Sequence, residues 1–199
     1  MTKESYFTGK RVLVTGASTG IGLAIVRRFA KAGATVGMHH RRPKQTFAEE
    51  MATLKNYPGT VETFRADFLE TGNQDKPVLE FVKRFGGIDI LVNNAGTVFD
   101  YGDFSTLSHK SWTKTFAVNA DAPFFLCRAA WPHMLQQESG RIINISTASV
   151  GYSGSVQAIH YIASKAALEA FSMTLAKEGV RQGILVNVIR CGVIATDMH

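Results

Sequence analysis

Cysteine is scarce in this sequence: Cys127 and Cys191 are the only two, and they lie far apart. That spacing offers neither a zinc site nor a disulfide framework, so the composition fits a reducing compartment, the cytoplasm. Long apolar runs are missing as well. The most apolar region, 116–135, is broken by Asn119, Asp121, Arg128 and His133, and nothing approaches the roughly 20 residues of a membrane span. Residues 1–10 are polar and contain no signal-peptide core. There is no internal repeat, low-complexity tract or interdomain linker. Acidic residues are outnumbered, giving a net charge of +6, yet the basic residues scatter apart from Arg27-Arg28 and Arg41-Arg42-Pro43-Lys44. A nucleic-acid binder gathers such charge on one face, so a small anionic ligand is the better match.

What is present points to one α/β domain. The chain has 199 residues, 45% of them apolar and 19% charged, with 18 glycines, which is enough to bury a substantial core. Arg11 to Thr15 reads as a buried strand. It runs into Gly16-Ala17-Ser18-Thr19-Gly20-Ile21-Gly22 and then a helical pattern through Ala32, closed by Gly33. Strand, glycine turn and helix in that order are the context a dinucleotide-binding motif requires. Gly16 permits the tight turn, Gly20 lets backbone approach a pyrophosphate, and Gly22 lets the helix pack closely on the strand. The helix N-terminus then offers unpaired N–H groups and a positive dipole end to phosphate.

Ala34 to His39 reads as the second strand, and its end lacks an acid. A carboxylate there would bind the ribose hydroxyls of NAD, whereas arginine accommodates the 2′-phosphate of NADP. The sequence has His39-His40-Arg41-Arg42, so Arg41, with Arg42 behind it, is the candidate phosphate clamp. A helix is expected over 46–56, a strand over 60–66 ending at Asp67, and a helix over 74–85. Asp67 suits an adenine edge or, as an isolated acid, a helix cap. Ile88 to Val92 is a further buried strand, followed by Asn93-Asn94-Ala95-Gly96, whose small residues keep the strand end open and whose amides can tie neighbouring strands.

The stretch 108–137 is helical in pattern, with Asn119 inside it and Pro123 and Pro132 as candidate kinks. Arg141 to Ile145 is the fifth strand, leading into Ser146-Thr147-Ala148-Ser149; Gly151 to Gly154 reads as a loop, and Ile184 to Ile189 as a sixth strand. Repeated strand–helix order predicts a doubly wound parallel sheet of Rossmann-type nucleotide-binding topology with helices on both faces. In such sheets ligands sit at the carboxyl ends of the strands, where every motif above lies.

Tyr161-Ile162-Ala163-Ser164-Lys165 opens an alanine-rich helix running to about Ala176. Four residues is one helical turn, so the phenol and the ammonium share a face. A neighbouring cation favours phenolate and lowers the phenol pKa, which suits Tyr161 to act as acid toward a carbonyl or base toward an alcohol.

Taken together, these residues resemble the short-chain dehydrogenase/reductase family. The matching pieces are Thr15 to Gly22, Asp67, Asn93 to Gly96, Asn119, Tyr161-x-x-x-Lys165 and Asn187-Val188-Ile189-Arg190. The resemblance implies an NADP(H)-dependent oxidoreductase that interconverts a carbonyl and an alcohol, and a homo-oligomer. It implies that Tyr161 is the acid/base, that Lys165 holds the nicotinamide ribose and lowers the Tyr161 pKa, and that Asn119 anchors a water in a proton relay. Ser18, Thr19, Ile21, Phe68, Asn93, Ala95, Gly96, Ile194 and Thr196 would join the glycines, Arg41, Arg42 and Asp67 around the cofactor. No metal is implied.

The sequence departs from the family in three places. The usual catalytic serine position is Ala148; aligning the strand end assigns the hydroxyl to Thr147, with Ser149 the alternative and Ser146 behind it. Cys191 stands where proline is usual. The chain reaches only His199, so residues 1–199 are expected to form one NADP-binding domain without the family's C-terminal substrate-covering segment. A catalytically silent NADP(H)-binding regulator on the same fold is the rival reading. Candidate substrate walls are the 97–107 and 152–160 loops, with Phe99, Tyr101, Tyr152 and Ile159.

Overall fold

Side chains on successive strand residues point to opposite faces, and here both faces are covered. The computed structural model describes residues 6–195. Strands β1 (Arg11–Val14), β2 (Thr35–His40), β3 (Thr60–Arg65), β4 (Ile90–Asn93), β5 (Gly140–Thr147) and β6 (Ile184–Cys191) form one parallel sheet ordered β3-β2-β1-β4-β5-β6. Val12 and Val14 of β1, with Ile90 and Val92 of β4, pack on one side with Leu23, Val26 and Ala30. Leu13 and Leu91 pack on the other with Phe81, Leu126 and Ile142. Strands buried on both faces need continuous apolar runs, which is why β1 and β4 read so clearly.

The helices are α1 (Gly20–Lys31), α2 (Ala48–Leu54), α3 (Lys76–Phe85), α4 (His109–Phe116), α5 (Ala122–Gln136), α6 (Ser149–Tyr152) and α7 (Ile159–Gly179). Helix α1 buries Gly22, Leu23, Val26 and Ala30, a stripe at helical spacing. Helix α3 begins with Pro77 and ends at Gly86 in the left-handed region, φ 75°, the usual start and stop chemistry. Among the described residues no helix is long and apolar enough to cross a membrane.

Four sequence expectations need correction. The helix expected over 46–56 is a 3-10 turn, Lys44–Phe47, followed by the short α2. The single helix expected over 108–137 is divided by a π-helical turn, Ala117–Asp121, with Asn119 at its centre. Pro123 has no N–H to give the carbonyl of Asn119 four residues back, so the α-helical ladder cannot pass through this point and the turn widens. Pro132, by contrast, lies inside α5, which continues past it. The loop expected at 151–154 is partly the helical turn α6.

β5 also runs two residues beyond the expected end, because Ser146 and Thr147 pair with Arg190 and Cys191 of β6. That extension carries Thr147 to the carboxyl end of the sheet. From β1 the chain winds outward through β2 and β3, then crosses back to β4 and winds the other way through β5 and β6. The reversal leaves a crevice between the ends of β1 and β4, the position where doubly wound sheets take their ligands.

Candidate functional site

The crevice begins with the turn after β1. Gly16 adopts φ 58° and Gly20 φ 55°, in the left-handed region where side-chain-bearing residues are strained. A Cβ on Gly16 would lie 2.7 Å from Ala95 Cα, so only glycine lets the β1 turn meet the β4 turn. Asn94 sews the two together: its Nδ2 donates to the carbonyls of Thr15 at 2.9 Å and Gly16 at 3.0 Å. Thr15 Oγ1 in return accepts from the N–H groups of Asn94 and Ala95, each at 3.0 Å. A Cβ on Gly22 would strike Asn94 Nδ2 and the Gly16 carbonyl, each at 2.5 Å, so Gly22 serves close packing as expected and does not face the cleft. Helix α1 starts without a side-chain cap from Thr19 and without an acid in its first turn, leaving its N–H groups directed at the crevice.

The resulting cleft has a volume of about 480 Å³, within the usual range for small-molecule sites. Of the residues expected around a cofactor, Gly16, Ser18, Thr19, Gly20, Ile21, Arg41, Arg42, Asp67, Phe68, Ala95, Gly96 and Ile194 line it. Arg41 and Arg42 are exposed at its rim. Asp67 Oδ1 accepts from the Leu69 N–H at 3.0 Å, so the acid braces its own turn while also lining the cleft. Thr196 lies outside the described residues.

Asn93 is a correction. It does not line the cleft: its side chain is buried beneath the sheet, where Nδ2 donates to Asn144 Oδ1 at 2.8 Å and to Cys127 Sγ at 3.3 Å. Asn144 passes the chain on to Ser172 Oγ at 2.7 Å. Asn93 is the last residue of β4, and the alternation of the strand turns it away from the site. The amide tie between neighbouring strands is as expected, made by Asn93 to β5 and by Asn94 to β1.

Farther along the cleft, β5 and α7 bring Thr147, Tyr161 and Lys165 together. Lys165 is buried, and Nζ donates to the Ile145 carbonyl at 2.8 Å, 6.0 Å from the Tyr161 ring centroid. Burial lowers its pKa to about 8. Tyr161 is half-buried, and burial raises its pKa above the ordinary phenol value; Tyr101 and Cys191 push the same way and the Thr147 hydroxyl opposes them. The expectation that Lys165 lowers the Tyr161 pKa is therefore corrected. The lysine is turned to a backbone carbonyl, and desolvation of the phenol dominates.

The three candidate hydroxyls are now distinguishable by position. Thr147 lines the cleft with Tyr161 and is the neighbour whose hydroxyl lowers the phenol pKa. Ser146 Oγ donates to Glu169 Oε1 at 2.6 Å, within a cluster completed by Arg190 Nη2 at 2.6 Å from Glu169 Oε2. Ser149 lines the cleft, and its N–H donates to Thr147 Oγ1 at 3.3 Å.

Asn119 is fully buried in the π-helical turn. Its Oδ1 accepts from the Thr97 N–H at 2.9 Å, and its Nδ2 donates to the Thr97 carbonyl at 2.8 Å and to Ser164 Oγ at 3.1 Å. A Cβ on Gly96 would lie 3.2 Å from both Asn119 Oδ1 and Lys165 Nζ, so the glycine lets these two polar groups lie side by side. Phe99, Tyr101 and Tyr152 line the open end as expected; Ile159 does not. Asn94, expected at the cleft within Asn93 to Gly96, lines it. Among the lining residues that sequence reasoning missed is His39, which carried no signal beyond its place at a strand end.

A glycine turn at the switch point of a doubly wound sheet, joined in one cleft to a half-buried tyrosine and a buried lysine one helical turn on, defines a nucleotide-dependent oxidoreductase. The family model described as short chain dehydrogenase matches residues 10–199, and the chain belongs to that family. It is 36% identical over 193 residues to "3-oxoacyl-[acyl-carrier-protein] reductase FabG" of Chlamydia pneumoniae, covering 96% of this chain and 75% of that one. It is 36% identical over 187 residues to acetoacetyl-CoA reductase of Allochromatium vinosum, covering 94% and 75%. Among solved structures, a dehydrogenase/reductase from Sinorhizobium meliloti 1021 superposes with a TM-score of 0.89 at 32% identity, covering 100% of this chain and 77% of that one. NADH-dependent reductase A1-R′ complexed with NAD superposes with a TM-score of 0.88 at 28% identity, covering 94% and 80%.

Proposed function

We propose that the chain uses NADP(H) to interconvert a carbonyl and an alcohol on a small molecule, with Tyr161 as general acid/base. The observation that carries this reading is the half-buried Tyr161 phenol, with Thr147 and the buried Lys165 beside it in one continuous cleft with the Gly16 turn and the α1 N-terminus. The residues fit a dinucleotide: two left-handed glycines, of which Gly16 has no room for a Cβ, uncapped helix N–H groups, and two rim arginines in place of an acid. When bound, the nicotinamide supplies the hydride.

The protein's own residues bind, orient and move a proton. The Gly16 to Ile21 turn and the first turn of α1 hold the pyrophosphate. Arg41, with Arg42 behind it, takes the 2′-phosphate, and absence of a carboxylate at the end of β2 favours NADP over NAD. Asp67 and Phe68 border the adenine, and Ala95, Gly96 and Ile194 the nicotinamide side. Thr147 steadies the reacting oxygen by donating a hydrogen bond, and Tyr161 gives its proton to that oxygen during reduction or accepts it during oxidation. Lys165 holds the ribose, and Asn119 anchors a water that replenishes the proton. Phe99, Tyr101 and Tyr152 shape the substrate end. The names of the first two relatives, both reductases of 3-oxoacyl-type compounds, support a carbonyl as the reacting group, and the protein is proposed to work as a homo-oligomer.

Consumption of NADPH and NADH across a panel of 3-oxo thioesters, ketones and aldehydes tests this. Carbonyl-dependent oxidation of NADPH, faster than that of NADH, is expected; no oxidation of either dinucleotide with any carbonyl would contradict it.

A further inference from the structure

His39 ends the apolar part of β2 with 3% of its surface exposed, and it lines the cleft beside Gly16 and Phe68. Its ring makes two hydrogen bonds with opposite demands. Nδ1 lies 3.1 Å from the Gly16 N–H and must accept. Nε2 lies 3.2 Å from the Ala66 carbonyl and must donate. Only one form of the imidazole satisfies both, the neutral ring with its proton on Nε2. The ring is fixed further by stacking on Phe68, with centroids 4.4 Å apart and planes 18° apart. The main chain reinforces the same joint, since the Ala17 N–H donates to the His39 carbonyl at 2.9 Å.

We propose that His39 is a positioning residue of the dinucleotide site: its neutral, Nε2-protonated ring ties the Gly16 turn to the end of β3 and holds two walls of the cleft in register. The inference rests on the dinucleotide reading above. Gly16 cannot shift toward β4, because Ala95 already stands in contact there; the histidine closes its opposite side. Through Ala66 and the stacked Phe68 the same ring fixes the segment that carries Asp67. A proton on Nδ1 would place two donors face to face at Gly16. Burial keeps the ring neutral by lowering its pKa to about 4, against the Ala66 hydrogen bond and Asp67, which raise it, and with the adjacent His40 acting in the same sense as burial.

Three variants of the full chain separate the two bonds. Asn places an amide oxygen near the position of Nδ1 and can accept from Gly16, Gln places an amide N–H near Nε2 and can donate to Ala66, and Leu can do neither. Affinity for NADP⁺ at neutral pH, measured by titration calorimetry, should fall about three- to tenfold in His39→Leu, the loss of one ordinary hydrogen bond at the binding turn. His39→Asn should recover most of the loss and His39→Gln little of it. An ordering in which Asn is as weak as Leu, or in which Leu binds as tightly as the parent, overturns the proposal.

Should the variants fail to fold, the parent protein still decides. Ring-nitrogen NMR at neutral pH should report His39 neutral with the proton on Nε2, and a proton on Nδ1 would overturn the proposal. A parent that binds neither NADP⁺ nor NAD⁺ would remove the dinucleotide reading and this inference together. A parent that binds tightly and ignores the His39 changes would remove this inference alone.

Discussion

Replacing Thr147 by Val keeps the shape of the side chain and removes one hydroxyl. In the structure that hydroxyl is the single influence holding the Tyr161 pKa down against burial. It also accepts the Ser149 N–H, but at 3.3 Å, a weak bond whose loss costs little stability. A hydrogen bond to a charged partner contributes about 1.5–3 kcal/mol, and a phenolate or a developing alkoxide is such a partner. Turnover should therefore fall by about tenfold to a hundredfold, with folding nearly unchanged. The sign of the pH effect follows from the same bond. Oxidation of an alcohol requires phenolate, so its rate rises with pH through the Tyr161 pKa. Without Thr147 that pKa moves up, and the rising limb moves to higher pH. Ser149→Ala should change turnover by less than about threefold, since it removes no bond to the phenol. Steady-state rates of alcohol oxidation against pH for the two variants give the answer. If Ser149→Ala costs more than Thr147→Val, or if the Thr147→Val profile does not move, the assignment of the hydroxyl is refuted.

Arg41→Ala removes a charge-assisted contact to the 2′-phosphate and should weaken NADPH binding about tenfold or more while leaving NADH nearly unaffected; equal binding of the two dinucleotides by the parent would contradict the clamp. Gly16→Ala places a Cβ 2.7 Å from Ala95 Cα at φ 58°, so thermal unfolding should show a loss of more than about 1 kcal/mol together with loss of dinucleotide binding. Asn119→Ala strips the Thr97 N–H and carbonyl of their partner, while Ser164 Oγ keeps its bond to the Tyr161 carbonyl. With a cost of about 1–3 kcal/mol for each buried group left unsatisfied, denaturant unfolding should show a lower midpoint with the slope unchanged.

The sheet was legible because its strands are buried on both faces. Val12-Leu13-Val14 and Ile90-Leu91-Val92 have no polar side to obscure them, and the glycines between β1 and α1 mark the turn. The parallel sheet followed from the repeated strand–helix order, but the place where that order reverses, between β1 and β4, did not. The π-helical turn did not, because Ala117 to Asp121 has ordinary helical composition. Its cause is Pro123, whose effect falls four residues upstream. The orientation of paired residues was equally hidden. Asn93 and Asn94 are identical in type, yet strand alternation sends one into the core and the other over the Gly16 turn. The place of Thr147 at the carboxyl end of the sheet turned on where β5 ends, a property of its pairing with β6. The direction of the Tyr161 pKa depended on burial, which the four-residue spacing does not encode.

The central claim is that Tyr161 carries the proton, and Tyr161→Phe tests it most directly. The change keeps the ring and its packing and removes the transferable proton. The quantity to measure is single-turnover carbonyl reduction with saturating NADPH, across pH, beside calorimetric NADPH affinity. For the parent, reduction requires phenol and its rate should fall as pH rises through the Tyr161 pKa, which burial holds above the ordinary value. For the variant, the rate should drop by about 10²–10⁴, that pH dependence should vanish, and NADPH affinity should stay within about threefold of the parent, the phenol hydroxyl contributing at most one ordinary hydrogen bond to binding. A Tyr161→Phe protein that reduces the carbonyl at the parent rate with an unchanged pH profile would contradict the account.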